Sequence, residues 1–312
     1  MKFAFLFPGQ GSQSVGMLAA YGDIPSVRNV VAEASAILGQ DIGRLISEGP
    51  ASELNSTVNT QPVMVTVGYA AYRAWLELGG APPTIAAGHS LGEYTALVAS
   101  GALSLADCLP LVRLRAQAMQ EAVPMGEGAM AALLGMDDDS VRLACAEASQ
   151  GQIVEAVNFN SPGQVVIAGH SAAVARAIEG AKARGAKRAV LLPVSAPFHS
   201  SLMAPAAEKL RIALDKVQIV SPNFPVIHNY DGKLRGNASD IKAALVLQAD
   251  HPVLWSQCIV AICNYGALRA FECGPGKVLA PLCRRISPGL DGIALTDKSA
   301  IEQGVASMRA GS

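Results

Sequence analysis

The pentapeptide Gly88-His89-Ser90-Leu91-Gly92 constrains this chain more than any other stretch. Thr84-Ile85-Ala86-Ala87 ahead of it reads as a short buried strand. Glu93-Tyr94-Thr95-Ala96-Leu97-Val98-Ala99-Ser100 behind it reads as a helix closed by Gly101. A strand, a G-x-S-x-G turn and a helix in that order form a nucleophile elbow, which leaves a serine hydroxyl exposed at the tip. Glycine is required at 88 and 92 because the two backbones pass too close for a Cβ. The strained serine costs on the order of 1–3 kcal/mol, which a fold tolerates mainly at a working site. Glycine is frequent here (30 of 312 residues), so the bare pattern could arise by chance; the flanking strand and helix decide for the elbow.

Half of the residues are apolar and 16% are charged, which gives a packed globular chain of one large or two modest domains. A net charge of −1 creates no global field for nucleic acid or an anionic membrane, so neither is expected as a partner. No apolar run reaches the roughly 18 residues of a membrane span. Phe3 to Phe7 is too short for a signal-peptide core and is interrupted by Pro8-Gly9. The six cysteines form no C-x-x-C and no histidine sits at zinc-ligand spacing. No metal is therefore expected, and reduced thiols in a cytoplasmic protein are the simplest reading.

Lys2 to Phe7 reads as a strand entering the loop Pro8-Gly9-Gln10-Gly11-Ser12-Gln13. Helices are expected at about 26–38, with Ser26 as cap and Gly39 as stop, and at about 62–78. Another starts at the capping-box-like Ser104-Leu105-Ala106-Asp107 and reaches about Val123. Strands alternating with helices imply a parallel sheet wrapped by helices, an α/β hydrolase-like fold. After the hinge-like Gly126-Glu127-Gly128 the pattern becomes strand 129–134, helix 138–148, strand 153–159, strand 164–168, helix 172–183 and strand 187–192. That β-α-β-β-α-β series is ferredoxin-like and reads as a small inserted α+β domain. The expected division is 1–127 and 197–312 for the large domain and 128–196 for the insertion, with a frayed tail at 310–312.

A serine needs a base, and there are five histidines to weigh. His89, beside Ser90 in a turn that points neighbours apart, reads as structural. His170 reads as packing against or capping the next helix, His228 as a strand residue, and His251 as a turn residue without assigned role. His199 follows a strand and precedes a helix, where open α/β sheets place their sites, and is the favoured base. A hydrolase triad also needs an acid between serine and histidine. Most of the acids there, Glu93 among them, fall at helix starts or in the insertion, where the helix dipole and water account for them; none sits alone after a strand of the large domain, so no triad acid is found. Arg115 has Leu111, Val112, Ala118 and Met119 at its helical neighbours and points to the packed side. Two arrangements fit it equally: a stem snorkelling to water, or a planar fork kept for a ligand carboxylate. The loop after the first strand suits one oxyanion-hole N–H, with Leu91 N–H as the other. Gly274-Pro275-Gly276-Lys277 lacks the spacing of a phosphate loop and reads as a turn.

The sequence closely resembles the malonyl-CoA:acyl-carrier-protein transacylases of bacterial fatty acid synthesis over essentially its whole length. The matching stretches are Phe7-Pro8-Gly9-Gln10-Gly11-Ser12-Gln13, the elbow with Glu93-Tyr94, Arg115 with Met119-Gln120, and Asn158 to Gln164. Pro197-Phe198-His199 with Met203, Gln248 with Pro252-Val253 and Trp255, and Gly274-Pro275-Gly276 complete them. The resemblance implies Ser90 as nucleophile, His199 as base, the Gln10 and Leu91 amides as oxyanion hole and Arg115 as clamp for the malonyl carboxylate. It implies that a main-chain carbonyl near Gln248 orients the histidine in place of an acid, and that Leu91 and Phe198 follow the malonyl-selective pattern. It also implies malonyl-CoA as donor, the phosphopantetheine thiol of acyl carrier protein as acceptor, and no permanently bound cofactor. Lys182, Arg184, Lys187, Arg188, Arg284 and Arg285 are candidate contacts for an acidic carrier; a solvated basic surface explains them equally well.

Overall fold

In the computed structural model, residues 2–194 and 196–309 are described; the tail expected to fray, 310–312, lies outside them. The five-stranded sheet is parallel throughout. It is built from β1 (Phe3–Phe7), β2 (Ile85–Gly88), β7 (Val226–Ile227), β8 (Arg269–Glu272) and β9 (Asp291–Ala294), in the order β7-β2-β1-β8-β9. Every residue of β1 is buried, and its alternation separates two cores. Phe3, Phe5 and Phe7 join Trp75 and Phe271 on one face; Ala4 and Leu6 join Trp255 and Ile262 on the other. A strand buried on both sides is apolar without a break, as its sequence is. Its partner register sets Phe7 against Gly88 and Leu6 against Glu272. The chain after β1, β2, β7 and β8 therefore emerges along one edge of the sheet.

The second sheet is antiparallel. It contains β3 (Gly128–Leu134), β4 (Val154–Ser161), β5 (Gln164–His170) and β6 (Arg188–Leu191) in the order β4-β5-β3-β6. Helices Asp138–Ser149 and Ser171–Ala183 connect β3 to β4 and β5 to β6, the ferredoxin-like arrangement. They cover the face carrying Ala131, Leu133 and Ile167. The opposite face carries Met130, Val157, Val166 and Ala168, packed by Leu192, Val194 and Phe198. The register of β4 shifts at Asn158, where Val253 of the large-sheet part bonds Val157 O and Phe159 N–H at 2.8 and 3.0 Å.

Two helix starts differ from expectation. The first helix is Pro25–Leu38, with Ile24 at the cap position and proline in the first turn; Ser26 lies inside it and its N–H donates to Glu77. Gly39 does end it, in the left-handed conformation. The helix expected at 62–78 runs Thr57–Glu77, so Pro62 sits in its second turn and not at its start. Pro62 removes one N–H from the ladder, yet the apolar side chains around it keep the helix buried. Ser104 does cap helix Leu105–Glu121, accepting from Asp107 N–H at 3.0 Å.

Candidate active site

Where β2 ends, the elbow is as tight as its glycines require. A Cβ on Gly88 would lie 1.9 Å from the Gly92 backbone, and one on Gly92 would lie 2.0 Å from Phe7 O. Ser90 sits between them at φ 49°, in the left-handed region. Two hydrogen bonds from one side chain brace it: Asn229 Oδ1 accepts Ser90 N–H at 2.6 Å, and Asn229 Nδ2 donates to Gly88 O at 2.7 Å.

His199 comes from the segment after β6 and also has a left-handed backbone, φ 64°. Its Nε2 is 2.6 Å from Ser90 Oγ and its Nδ1 is 2.8 Å from the main-chain O of Gln248. A carbonyl at Nδ1 places the proton there and leaves Nε2 as the basic nitrogen. Burial first, then the Arg115 charge, push the His199 imidazole down to about 3 from its ordinary 6.5, against the opposing pull of the Gln248 carbonyl. The ring is neutral at physiological pH, which a proton acceptor must be.

Arg115 is 2% exposed. Its NH1 donates to Gln61 Oε1 at 2.9 Å, and its NH2 donates to Gln248 Oε1 at 3.0 Å and to Ser90 Oγ at 3.4 Å. The guanidinium lies 5.4 Å from the Tyr94 ring centre. Among the described residues no carboxylate pairs with it. A buried cation resting on neutral amides is an incomplete ion pair, and a ligand anion would complete it. Of the two arrangements open from sequence, the stem does not snorkel to water.

These groups line one cleft of about 780 Å³. Gln10, Ser90, Arg115 and His199 stand on its polar side, and Met119, Met130, Leu192, Val194 and Phe198 form an apolar wall. Gln10 and Leu91 also line it, and neither amide donates to another group among the described residues. Gln10 Nε2 donates to Thr57 Oγ1 at 3.2 Å. Gln248 enters through four bonds: its main-chain O to His199, its side-chain oxygen to Arg115, and its side-chain nitrogen to Ser90 O at 2.8 Å and to Glu93 Oε2 at 3.1 Å.

The remaining histidines lie apart from this chemistry. His89 borders the cleft but bonds Asn160 Oδ1 at 2.8 Å. His170 stands at the N-cap position of the following helix without a side-chain capping bond; its Nδ1 accepts Ile153 N–H at 3.0 Å and ties β5 to the start of β4. His251 is exposed beside Asp250. His228 lies just past β7 and is fully buried, with Nδ1 2.7 Å from Glu93 Oε1. That contact corrects the reading of Glu93 as a solvated helix-start acid, since it is 0% exposed. Gln61, Glu93 and Asn229 are site residues that sequence reasoning passed over. For Glu93 a signal existed: every residue from Tyr94 to Ala99 is apolar or small, and a helix apolar all round has no wet face for an acid. The six cysteines all carry free thiols. Among the described residues no group of histidine, cysteine and acidic side chains could hold a metal. Nor, among the described residues, is any helix long and apolar enough to cross a membrane.

The acyl transferase domain family matches residues 4–264. This chain belongs to it. The protein is an acyltransferase, and its relatives match along nearly the whole length. Malonyl CoA-acyl carrier protein transacylase of Escherichia coli K12 is 52% identical over 301 residues, 96% of this chain and 97% of the relative. The crystal structure of the acyl-carrier-protein S-malonyltransferase of Burkholderia pseudomallei 1710b is similar at a TM-score of 0.97 with 58% identity, covering 98% of this chain and all of that one. A malonyl-transacylase solved in complex with its type II PKS acyl-carrier protein shares 46% identity at a TM-score of 0.97, with the same coverage.

Proposed function

We propose that this acyltransferase moves a malonyl group from malonyl-CoA to the phosphopantetheine thiol of an acyl carrier protein, supplying extender units for fatty acid synthesis. The observation that carries the reading is Arg115, a buried guanidinium without a carboxylate, 3.4 Å from the Ser90 hydroxyl. A dicarboxylic acyl thioester brings the missing anion and puts its carbonyl beside that hydroxyl.

In this reading Ser90 Oγ attacks the thioester carbonyl while its proton passes to His199 Nε2. The negative oxygen rests on the Gln10 and Leu91 amides; losing one such donor typically costs about 100–1000-fold in rate. The C–S bond breaks, the thiolate of coenzyme A takes the proton from His199, and malonyl-Ser90 remains. The carrier thiol then gives its proton to His199 and attacks the ester, and Ser90 leaves with that proton. The Gln248 carbonyl holds the imidazole throughout, in the place of a triad acid. Leu91 and Phe198 shape the acyl pocket for malonyl. No permanently bound cofactor enters this scheme.

The same reading treats residues 128–196 as an inserted unit, with 1–127 and 197–312 forming the unit that carries Ser90, Arg115, His199 and Gln248. Intact mass after mixing the protein with malonyl-CoA tests the chemistry. The expected result is a single malonyl adduct that disappears on adding holo carrier protein and never forms in Ser90→Ala. Absence of the adduct, or rapid free malonate with no acylated carrier, refutes the transfer.

A further inference from the structure

We infer that Glu93 is a positioning residue for this reaction, acting on Arg115 through the side-chain carboxamide of Gln248. The inference rests on the proposed reading of Arg115 as the acyl clamp. Glu93 is fully buried at the start of the elbow helix, and its carboxylate meets N–H groups only. Oε1 pairs with His228 Nδ1 at 2.7 Å, and Oε2 accepts Asn229 N–H at 2.9 Å and Gln248 Nε2 at 3.1 Å.

Gln248 needs such a partner. The two ends of a carboxamide have nearly the same shape and opposite hydrogen-bonding character. Toward Arg115 only the oxygen is useful, and at 3.0 Å it accepts from NH2. Turned over, the amide would set N–H against guanidinium N–H in a space closed to water, leaving buried donors unpaired. At the other end Nε2 faces Ser90 O and Glu93 Oε2, both acceptors. A carboxylate has no donor to offer, so it permits one orientation of Gln248 and blocks the other. The same Oε2 also accepts the Asn229 N–H, and the Asn229 side chain holds Ser90 N–H and Gly88 O. One buried acid thus fixes the acceptor under the fork and braces the strained nucleophile.

The test compares kcat/KM for malonyl and acetyl thioesters in the whole enzyme with holo carrier protein. The variants are Arg115→Ala, Glu93→Ala, Gln248→Leu and the double variant of the last two. Arg115→Ala should abolish the preference for malonyl. Glu93→Ala should lower it about tenfold, but less than about twofold when Gln248 is already leucine, because coupled residues are not additive. A role in folding alone would slow both substrates alike and leave the preference intact. That result, or a Glu93→Ala effect of the same size in both backgrounds, overturns the inference while Arg115→Ala still abolishes preference. Unchanged preference in Arg115→Ala removes the clamp itself, and this inference with it. Should Glu93→Ala fail to fold by circular dichroism, Glu93→Gln carries the test. Its carboxamide can offer Gln248 either end, so a roughly threefold loss is expected with Gln248 present and none with leucine there; no loss, or equal loss in both, overturns the inference.

Discussion

Residue 199 is held by two separate constraints. Its backbone is left-handed, and its ring is kept neutral by burial first and by the neighbouring guanidinium second. The second constraint has a measurable consequence. With the imidazole at about 3, the acid limb of kcat/KM should fall well below pH 6.5, and a limb centred near 6.5 refutes the burial argument. The same shift acts on stability. As pH drops from 6.5 toward 3 the unfolded chain takes a proton that the native ring refuses, so His199 lowers native stability progressively across that window, and not above it. His199→Asn tests this without disturbing the turn, because asparagine tolerates the left-handed region. The variant should lose less melting temperature than the parent between pH 6.5 and 4; equal losses count against the assignment. The positions of Ser90 and His199 and the packed side of Arg115 were legible in sequence, because each is marked by local order: a turn, a strand end, a helical periodicity. Gln61, Glu93 and Asn229 were not. Their importance lies in partners 54, 135 and 139 positions away, such as Arg115, His228 and Ser90, and an acid at a helix start has an ordinary solvated explanation.

The elements bring those residues together through backbone approach more than through side-chain packing. The turn after β2 presses directly on the end of β1, so substitution there is felt by the sheet. Gly92→Ala places a methyl group 2.0 Å from Phe7 O. It should destabilise the fold by about 3 kcal/mol and remove malonyl adduct formation together. Urea unfolding with the intact-mass assay checks both, and a stable, acylating variant would show the elbow to be looser than described. The glycine pattern made this element readable in sequence, and the β-α-β-β-α-β order of 129–192 made the small sheet readable. Helix starts were less so. The expected start at 62 is five residues late, because packing of Val63, Met64, Val65 and Val67 carries the helix through Pro62 from Thr57. Ser26 has the residue type of a cap, while Pro25 already supplies the fixed φ that opens that helix.

At the scale of the molecule, the cleft lies where the face of the small sheet carrying Met130 meets the strand ends of the large one. The six basic residues weighed as carrier contacts differ in their pairing. Lys182, Arg184 and Arg284 pair with Glu179, Glu147 and Asp291, and Arg285 donates to Gln164. Lys187 and Arg188 are exposed, have no ion pair among the described residues, and begin the strand that leads to Leu192 and Val194 in the cleft wall. An acidic carrier would be drawn to those two. Lys187→Glu with Arg188→Glu should raise KM for carrier protein about tenfold at low salt and leave the rate of Ser90 malonylation by malonyl-CoA unchanged. A KM that stays constant places the docking surface elsewhere. The large sheet has one further consequence, for synthesis on the ribosome. Its central strand is translated first, yet Phe3 waits for Arg269 as a neighbour. A growing chain therefore carries its most apolar strand half-paired until most of the protein has been made, and the demand for chaperones during translation falls on that strand.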